Sequence, residues 1–153
     1  LRRQRQMCIR DRFQILHAYG RKNDAPATHD HYTAVPYIDD MEAAYAVADV
    51  VVCRSGAMTV AENSAAGIPA IYIPLPHGNG EQGLNSAHLV DAGAALRIDD
   101  AALSGDVLVD KLLPLVEPEA RATMRAALKD SGAGSVAEDL AARIAAAAGK
   151  DTK

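Results

Sequence analysis

The sequence predicts an α/β fold: a parallel sheet covered by helices on both faces. Three observations point to it. Short apolar runs, such as 50–53 and 70–73, alternate with helix-length segments along the chain. Glycine and proline fall at the joins, as at Gly67 and Pro69 or Gly93 and Pro114. Apolar residues make up 49% of the 153, yet include one Phe and no Trp. Much of the rest is alanine, which suits close helix-on-sheet packing and not an aromatic stacking surface.

Taken in order, residues 13–19 read as a short strand closed by Gly20, and 21–33, polar and holding Pro26, as a loop. A second strand edge is predicted over 34–38, kept irregular by Pro36. Asp39 and Asp40 can cap a helix over 41–48. The strand 50–53 follows, and a small-residue turn, Ser55-Gly56-Ala57, feeds a helix over 58–66. Gly67 and Pro69 end that helix before a strand over 70–73. The next helix is expected over 81–91, ending at Gly93, with a strand over 94–98. Ser104 can cap a helix over 105–113, which Pro114 ends or kinks. Pro118 suits the first turn of a helix reaching about 130. The stretch 132–135 breaks the chain, and an alanine-rich helix is predicted from Ser135 to about 148, with a frayed tail over 149–153.

In folds of this kind ligands sit beyond the carboxyl ends of the strands, here the turns after Ile38, Cys53 and Ile73. The turn after Cys53 suits a phosphate best. A helix N-terminus there offers unbonded backbone N–H groups and the positive end of a dipole, and Gly56 lets a ligand approach the backbone. Glu62 lies a turn along the helix, where a carboxylate can accept two hydrogen bonds from a vicinal diol such as a ribose; Thr59-x-x-Glu62 equally matches a capping box. After residue 73 a loop with three glycines, Gly78, Gly80 and Gly83, delivers Glu81, Gln82 and Asn85 at a helix start. Gln82 and Asn85 share a helix face, so their amides can read sugar hydroxyls together or simply face solvent at the terminus.

The formal net charge is −4, which argues against nucleic acid as a partner. No apolar stretch approaches the ~20 residues needed to span a bilayer. Two cysteines, Cys8 and Cys53, give no disulfide framework, which fits a reducing compartment. Residues 1–12 hold five of the 16 basic residues and one of the 20 acidic ones. They read either as a basic arm for nucleic acid or anionic lipid or as a non-native extension. The extension is the expectation, because Gln6-Met-Cys-Ile-Arg-Asp-Arg12 resembles translated sequencing-adapter sequence. The domain proper is then expected over 13–148.

The run from Ile38-Asp-Asp-Met41 through Asp49-Val-Val-Val-Cys-Arg-Ser-Gly-Ala57 to Asn85, with its Leu75-Pro-His-Gly-Asn-Gly-Glu-Gln82 loop, resembles the donor half of the MurG family. These are bacterial UDP-N-acetylglucosamine transferases that convert lipid I to lipid II, and the loop looks like that of the actinobacterial branch. The resemblance covers about residues 13–148, and its motifs are long and gapless. It implies a Rossmann-like parallel sheet forming the C-terminal half of a two-domain GT-B glycosyltransferase, and an inverting hexosyl transfer from UDP-GlcNAc.

Placed on this sequence, the resemblance implies a uracil contact at the backbone of Ile38 and a diphosphate turn at Ser55 and Gly56. The backbone of Ala57, Met58 and Thr59, with the Thr59 hydroxyl, should face the diphosphate, and Glu62 the ribose. The N-acetylglucosamine hydroxyls should meet Glu81, Gln82 and Asn85; Glu81 stands where the family has glutamine, which keeps an acceptor but loses a donor. His17, in Leu-His-Ala-Tyr-Gly, matches a Trp-His-x-x-Gly position and is expected to help close the nucleotide pocket; His77, before the sugar loop, can approach the diphosphate at the pocket or serve a structural role.

No metal site and no required cofactor are expected, although a divalent cation can ride on the donor diphosphate. Asp39-Asp40 and Asp99-Asp100 read as caps or turns, and His29-Asp30-His31 as a solvated loop. The family's acceptor domain, with its general base, and the donor domain's first strand precede this region, so no catalytic residue is assigned here and the chain alone is expected to be inactive. Lipid I would be met through that other domain, at the inner face of the cytoplasmic membrane, where the whole protein is expected to be peripheral. Two alternatives remain at this stage: another GT-B UDP-sugar glycosyltransferase or epimerase, and a stand-alone nucleotide-sugar-binding subunit that joins a membrane-bound acceptor subunit.

Overall fold

The computed structural model describes residues 13–76 and 80–133. The extension read over 1–12, His77, and the helix and tail predicted from Ser135 onward lie outside the described residues. The described chain runs β1 (Ile15–Ala18), β2 (Tyr32–Val35), α1 (Met41–Val47), β3 (Val51–Cys53), α2 (Ala57–Ala65), β4 (Ala70–Tyr72), α3 (Glu81–Asp91), β5 (Ala95–Arg97), α4 (Gly105–Leu112) and α5 (Pro118–Asp130). Short 3-10 turns occupy Asp100–Ala102 and Leu113–Val116.

Among the described residues these strands pair with one another in parallel, as expected, but they form two sheets and not one. β1 pairs with β2, and β3-β4-β5 lie in that order. Burial explains the division. β4 is buried at each position, whereas each residue of β1 is exposed, so the small sheet contributes little to the main core. The second strand also begins at Tyr32, earlier than predicted, and stops at Val35. Pro36 lacks the N–H needed to continue a ladder, so Ile38 lies beyond the strand in the segment leading to α1.

The helix starts follow from their caps. Asp40 caps α1 through a 2.9 Å bond from Ala43 N to Asp40 Oδ1. Ser104 caps α4 through Val107 N at 3.2 Å, and Pro118 opens α5.

The side chains of β4, continued by Ile73 just after it, alternate between two apolar layers. Ala70 and Tyr72 pack with Val60 of α2, Leu89 of α3 and Leu128 of α5. Ile71 and Ile73 pack with Leu115, with Met124 of α5 and with Val107, Leu108 and Leu112 of α4. The main sheet is therefore covered on both faces, and α5 contributes to each layer. Complete burial of Ile71 removes a side chain from water that contributes about 1.5–3 kcal/mol.

One polar group interrupts the first layer. Asn63 is fully buried on α2, and its Nδ2 reaches Cys53 Sγ at 3.4 Å and the Tyr72 hydroxyl at 3.5 Å. Burial pushes the Cys53 thiol above its usual range and the Tyr72 phenol up to about 12, the Asn63 amide opposing the shift in each case.

Folded Tyr72 holds its proton to about 12, while the unfolded phenol releases it near 10.0. The native state therefore binds more protons between these values, and stability should fall as pH rises through that window. Urea midpoints measured from pH 9 to about 12 should show this decline, and Tyr72→Phe should flatten it. An equal decline in the variant would assign the alkaline loss to other groups.

Candidate functional site

The site forms at the carboxyl ends of β3 and β4. After Cys53, Arg54-Ser55-Gly56 turn the chain into α2, which begins at Ala57, one residue earlier than its spacing predicts. Gly56 is the N-cap and offers no side-chain acceptor; the first intrahelical bond runs from Val60 N to Gly56 O at 2.9 Å. The amides of Ala57, Met58 and Thr59 thus have no acceptor within the helix. This geometry excludes the capping box. Thr59 is the third residue of the helix and Glu62 the sixth, so the pair does not occupy the N-cap and N3 positions that the motif requires.

α3 repeats the arrangement. Its N-cap is Gly80, also without a side-chain cap, with φ 75°, a left-handed conformation that favours glycine. Two uncapped helix N-termini are therefore available; two bonds fasten them together, and a third anchors α3 to the end of β4. Ser55 is fully buried, and its hydroxyl donates to Gln82 O at 2.7 Å. Asn85 Nδ2 donates to Ser55 O at 3.0 Å. Leu75 N donates to Gln82 Oε1 at 3.0 Å, which ties the chain leaving β4 to the same helix end. The reading of Gln82 and Asn85 as a solvated terminus is thus overturned: each spends half of its amide on the protein. Gln82 Nε2 and Asn85 Oδ1 remain without a bond among the described residues. The exposed Glu81 sits in the first turn of α3, where its charge complements the helix dipole.

Glu62 is exposed on α2, and its Oε2 accepts a hydrogen bond from the Tyr45 hydroxyl on α1 at 3.2 Å. Burial, followed by the bond to Glu62, raises the Tyr45 phenol above its ordinary value, so at neutral pH it remains a donor. An open cleft of about 600 Å³ lies between α1 and α2 beside this pair. Half-buried Ile38 precedes α1, and its neighbours are braced from the loop after β1: the Arg21 guanidinium lies 4.8 Å from the centre of the Tyr37 ring and 3.8 Å from Asp39. Arg54 donates to Ile73 O at 3.2 Å and pairs with Asp100, joining the end of β4 to the turn after β5.

The remaining candidates are placed as follows. Met58 is exposed in the first turn of α2, and Thr59 is half-buried beside it. His17, on exposed β1, shares a 2.5 Å hydrogen bond with the Tyr32 hydroxyl, inside the small sheet. Asp99 pairs with Arg97 at 2.7 Å. Among the described residues, no group of three or more His, Cys, Asp or Glu is arranged to hold a metal. Sequence reasoning did not find Tyr45 or Arg54. Their partners lie 17 and 46 positions away, and neither spacing carries a local signal.

Architecture and solved structures agree on the class: this is the C-terminal half of a GT-B glycosyltransferase. The chain superposes on MurG of Acinetobacter baumannii with a TM-score of 0.67 at 30% identity, over 82% of this chain and 40% of that one. It also matches the fold of the kitacinnamycin glycotransferase, with a TM-score of 0.60 at 24% identity, over 92% and 39% of the two chains.

Residues 1–144 match the model of the glycosyltransferase family 28 C-terminal domain, and the chain belongs to that family. A relative from Corynebacterium glutamicum (strain R) is 56% identical over 135 residues, which is 88% of this chain and 38% of the relative. It is named UDP-N-acetylglucosamine–N-acetylmuramyl-(pentapeptide) pyrophosphoryl-undecaprenol N-acetylglucosamine transferase. A Mycolicibacterium smegmatis relative of the same name is 53% identical over 124 residues, 77% of this chain and 32% of the relative. The chain thus spans less than two fifths of the length of these relatives.

Replacing Ser55 by alanine should leave Gln82 O without its buried donor. The expected loss is about 1–2 kcal/mol of unfolding free energy, read from urea denaturation. An unchanged midpoint would mean that this bond does not fasten the two helix ends.

Proposed function

We propose that this chain is the donor-binding part of an enzyme that moves N-acetylglucosamine from UDP-GlcNAc to lipid I, giving lipid II for peptidoglycan. One observation carries the reading: two glycine-capped helix N-termini converge at the strand ends, with a ribose-competent carboxylate a turn away on one of them. The names of the close relatives support the same donor and acceptor.

In this reading the uracil meets the backbone at Ile38, and the Glu62 carboxylate accepts from the ribose diol. The diphosphate lies against Gly56 and the amides of Ala57, Met58 and Thr59, with the Thr59 hydroxyl as a further donor. Gln82 Nε2 and Asn85 Oδ1, the halves of the two amides not spent on the protein, face the sugar hydroxyls, with Glu81 as an acceptor. Ser55 acts differently from the others. Its side chain is buried and spent on Gln82 O, so it sets the distance between the diphosphate turn and the sugar helix without touching the ligand.

The reaction is an inverting transfer. The C4 hydroxyl of the lipid-linked N-acetylmuramoyl-pentapeptide attacks C1 of the sugar, and UDP leaves. The leaving diphosphate gains negative charge, which the α2 amides and dipole stabilise in place as it develops. The base that takes the hydroxyl proton is assigned to no residue of this chain. No resident cofactor is needed; a divalent ion bound to the diphosphate would add charge neutralisation. The acceptor is a membrane lipid, so the whole protein works at the cytoplasmic face of the membrane as a peripheral enzyme.

Calorimetric titration with UDP and UDP-GlcNAc tests the site. Glu62→Ala should weaken UDP binding by about 1.5–3 kcal/mol, the range for hydrogen bonds to a charged group. An unchanged affinity would remove Glu62 from the site. Gly56 offers an independent check. Its φ and ψ, −62° and 147°, suit any residue, and an added Cβ would meet nothing closer than Thr59 Oγ1 at 3.9 Å. The fold therefore does not require glycine there. Gly56→Asp supplies a helix cap, so the melting temperature should hold or rise slightly, while UDP affinity should fall at least tenfold, on the order of 1.4 kcal/mol or more. Retained binding would place the diphosphate elsewhere.

A further inference from the structure

Glu62 sits on an exposed stretch of α2, and a glutamate there has several staggered rotamers open to it. Gripping a vicinal diol requires one of them, with the carboxylate presented edge-on. The structure contains a group that selects a rotamer. Tyr45 reaches from α1 across the cleft and donates its hydroxyl to Glu62 Oε2 at 3.2 Å. The aromatic ring is half-buried and stiff, and its helix is fixed at the start by the Asp40 cap. A carboxylate offers about four lone-pair sites. One bond from the phenol therefore leaves all of Oε1 and part of Oε2 for a ligand.

We propose that Tyr45 is the positioning residue for the ribose-binding carboxylate: its hydroxyl holds Glu62 in the orientation that accepts both hydroxyls of the nucleoside diol. The inference rests on the donor-site reading above and adds a residue to it. It also gives α1 a function. This helix follows the uracil segment at Ile38 and carries the group that orients the ribose ligand on α2, so base and ribose recognition are mechanically joined through Tyr45.

The test compares UDP with 2′,3′-dideoxyuridine 5′-diphosphate by calorimetric titration of the full chain, in the unmutated protein, Tyr45→Phe, Glu62→Ala and the double variant. Tyr45→Phe should weaken UDP roughly threefold to tenfold, the effect of one ordinary hydrogen bond. It should leave the dideoxy ligand within a factor of about two, and it should add nothing once Glu62 is alanine. UDP affinity that is unchanged or tighter in Tyr45→Phe overturns the proposal. So does an equal loss for both ligands, which would mean that Tyr45 supports the fold or touches another part of the nucleotide. Tyr45→Met, which also fills this face without a hydroxyl, serves if the phenylalanine variant does not fold. Should the unmutated chain take up no UDP, the donor-site reading fails and this inference with it; should it bind while Tyr45→Phe is indistinguishable, only the present inference fails.

Discussion

The bond from the Ser55 hydroxyl to Gln82 O is the constraint on which the site depends. Burying a hydroxyl without a partner costs free energy, and this one finds its acceptor 27 residues along the chain, on the first turn of another helix. Asn85 answers with a bond to the Ser55 carbonyl. The β3–α2 turn and the start of α3 therefore form one unit. Neither helix could present its N-terminus reliably alone, because each opens on a glycine and lacks the side-chain cap that would fix its first turn. The clasp supplies from outside the order that the caps do not.

Leaving two helix starts uncapped has a cost in stability, and the main sheet offsets it. β4 is buried on both faces, with Ala70 and Tyr72 toward one layer and Ile71, with Ile73 just beyond the strand, toward the other. Small side chains at Ala70, Ala94 and Ala95 let α2 and α3 lie close to the sheet, which brings their N-termini to the same edge. Arg54 ties that edge a second time by reaching Ile73 O and Asp100. The alanine-rich composition thus serves the site as well as the core, because bulkier residues in this layer would move the helix ends apart.

What could be read from the sequence was local. α3 was legible to the residue, since its glycines mark both ends, and the Asp40, Ser104 and Pro118 starts followed from capping chemistry alone. The second strand was misplaced because Pro36 ends the ladder; in a strand prediction it reads only as an irregularity. The Thr59-x-x-Glu62 spacing fits a capping box, and only the observed start at Ala57 excludes it. Burial of Ser55 was not legible, because a serine in a small-residue turn reads as exposed. Nor was the Tyr45–Glu62 contact, since tyrosine in an alanine-rich helix reads as packing. Contacts between elements carry no periodicity, and the site is made of such contacts.

The charge balance constrains how an anion can be held. The chain has a formal net charge of −4, and two carboxylates, Glu62 and Glu81, flank the proposed diphosphate position. Arg54, the nearest guanidinium in sequence, is already paired with Asp100. Long-range attraction therefore contributes little to recognition. What remains is short-range: amide N–H groups and dipole ends that act within the first turn of a helix. Such donors are effective only when rigid and correctly aimed, because a misdirected amide gains nothing from distance. The demand for placement returns the problem to Ser55. With little bulk charge to attract an anion, the proposed site depends for recognition on the fixed spacing between the two helix ends.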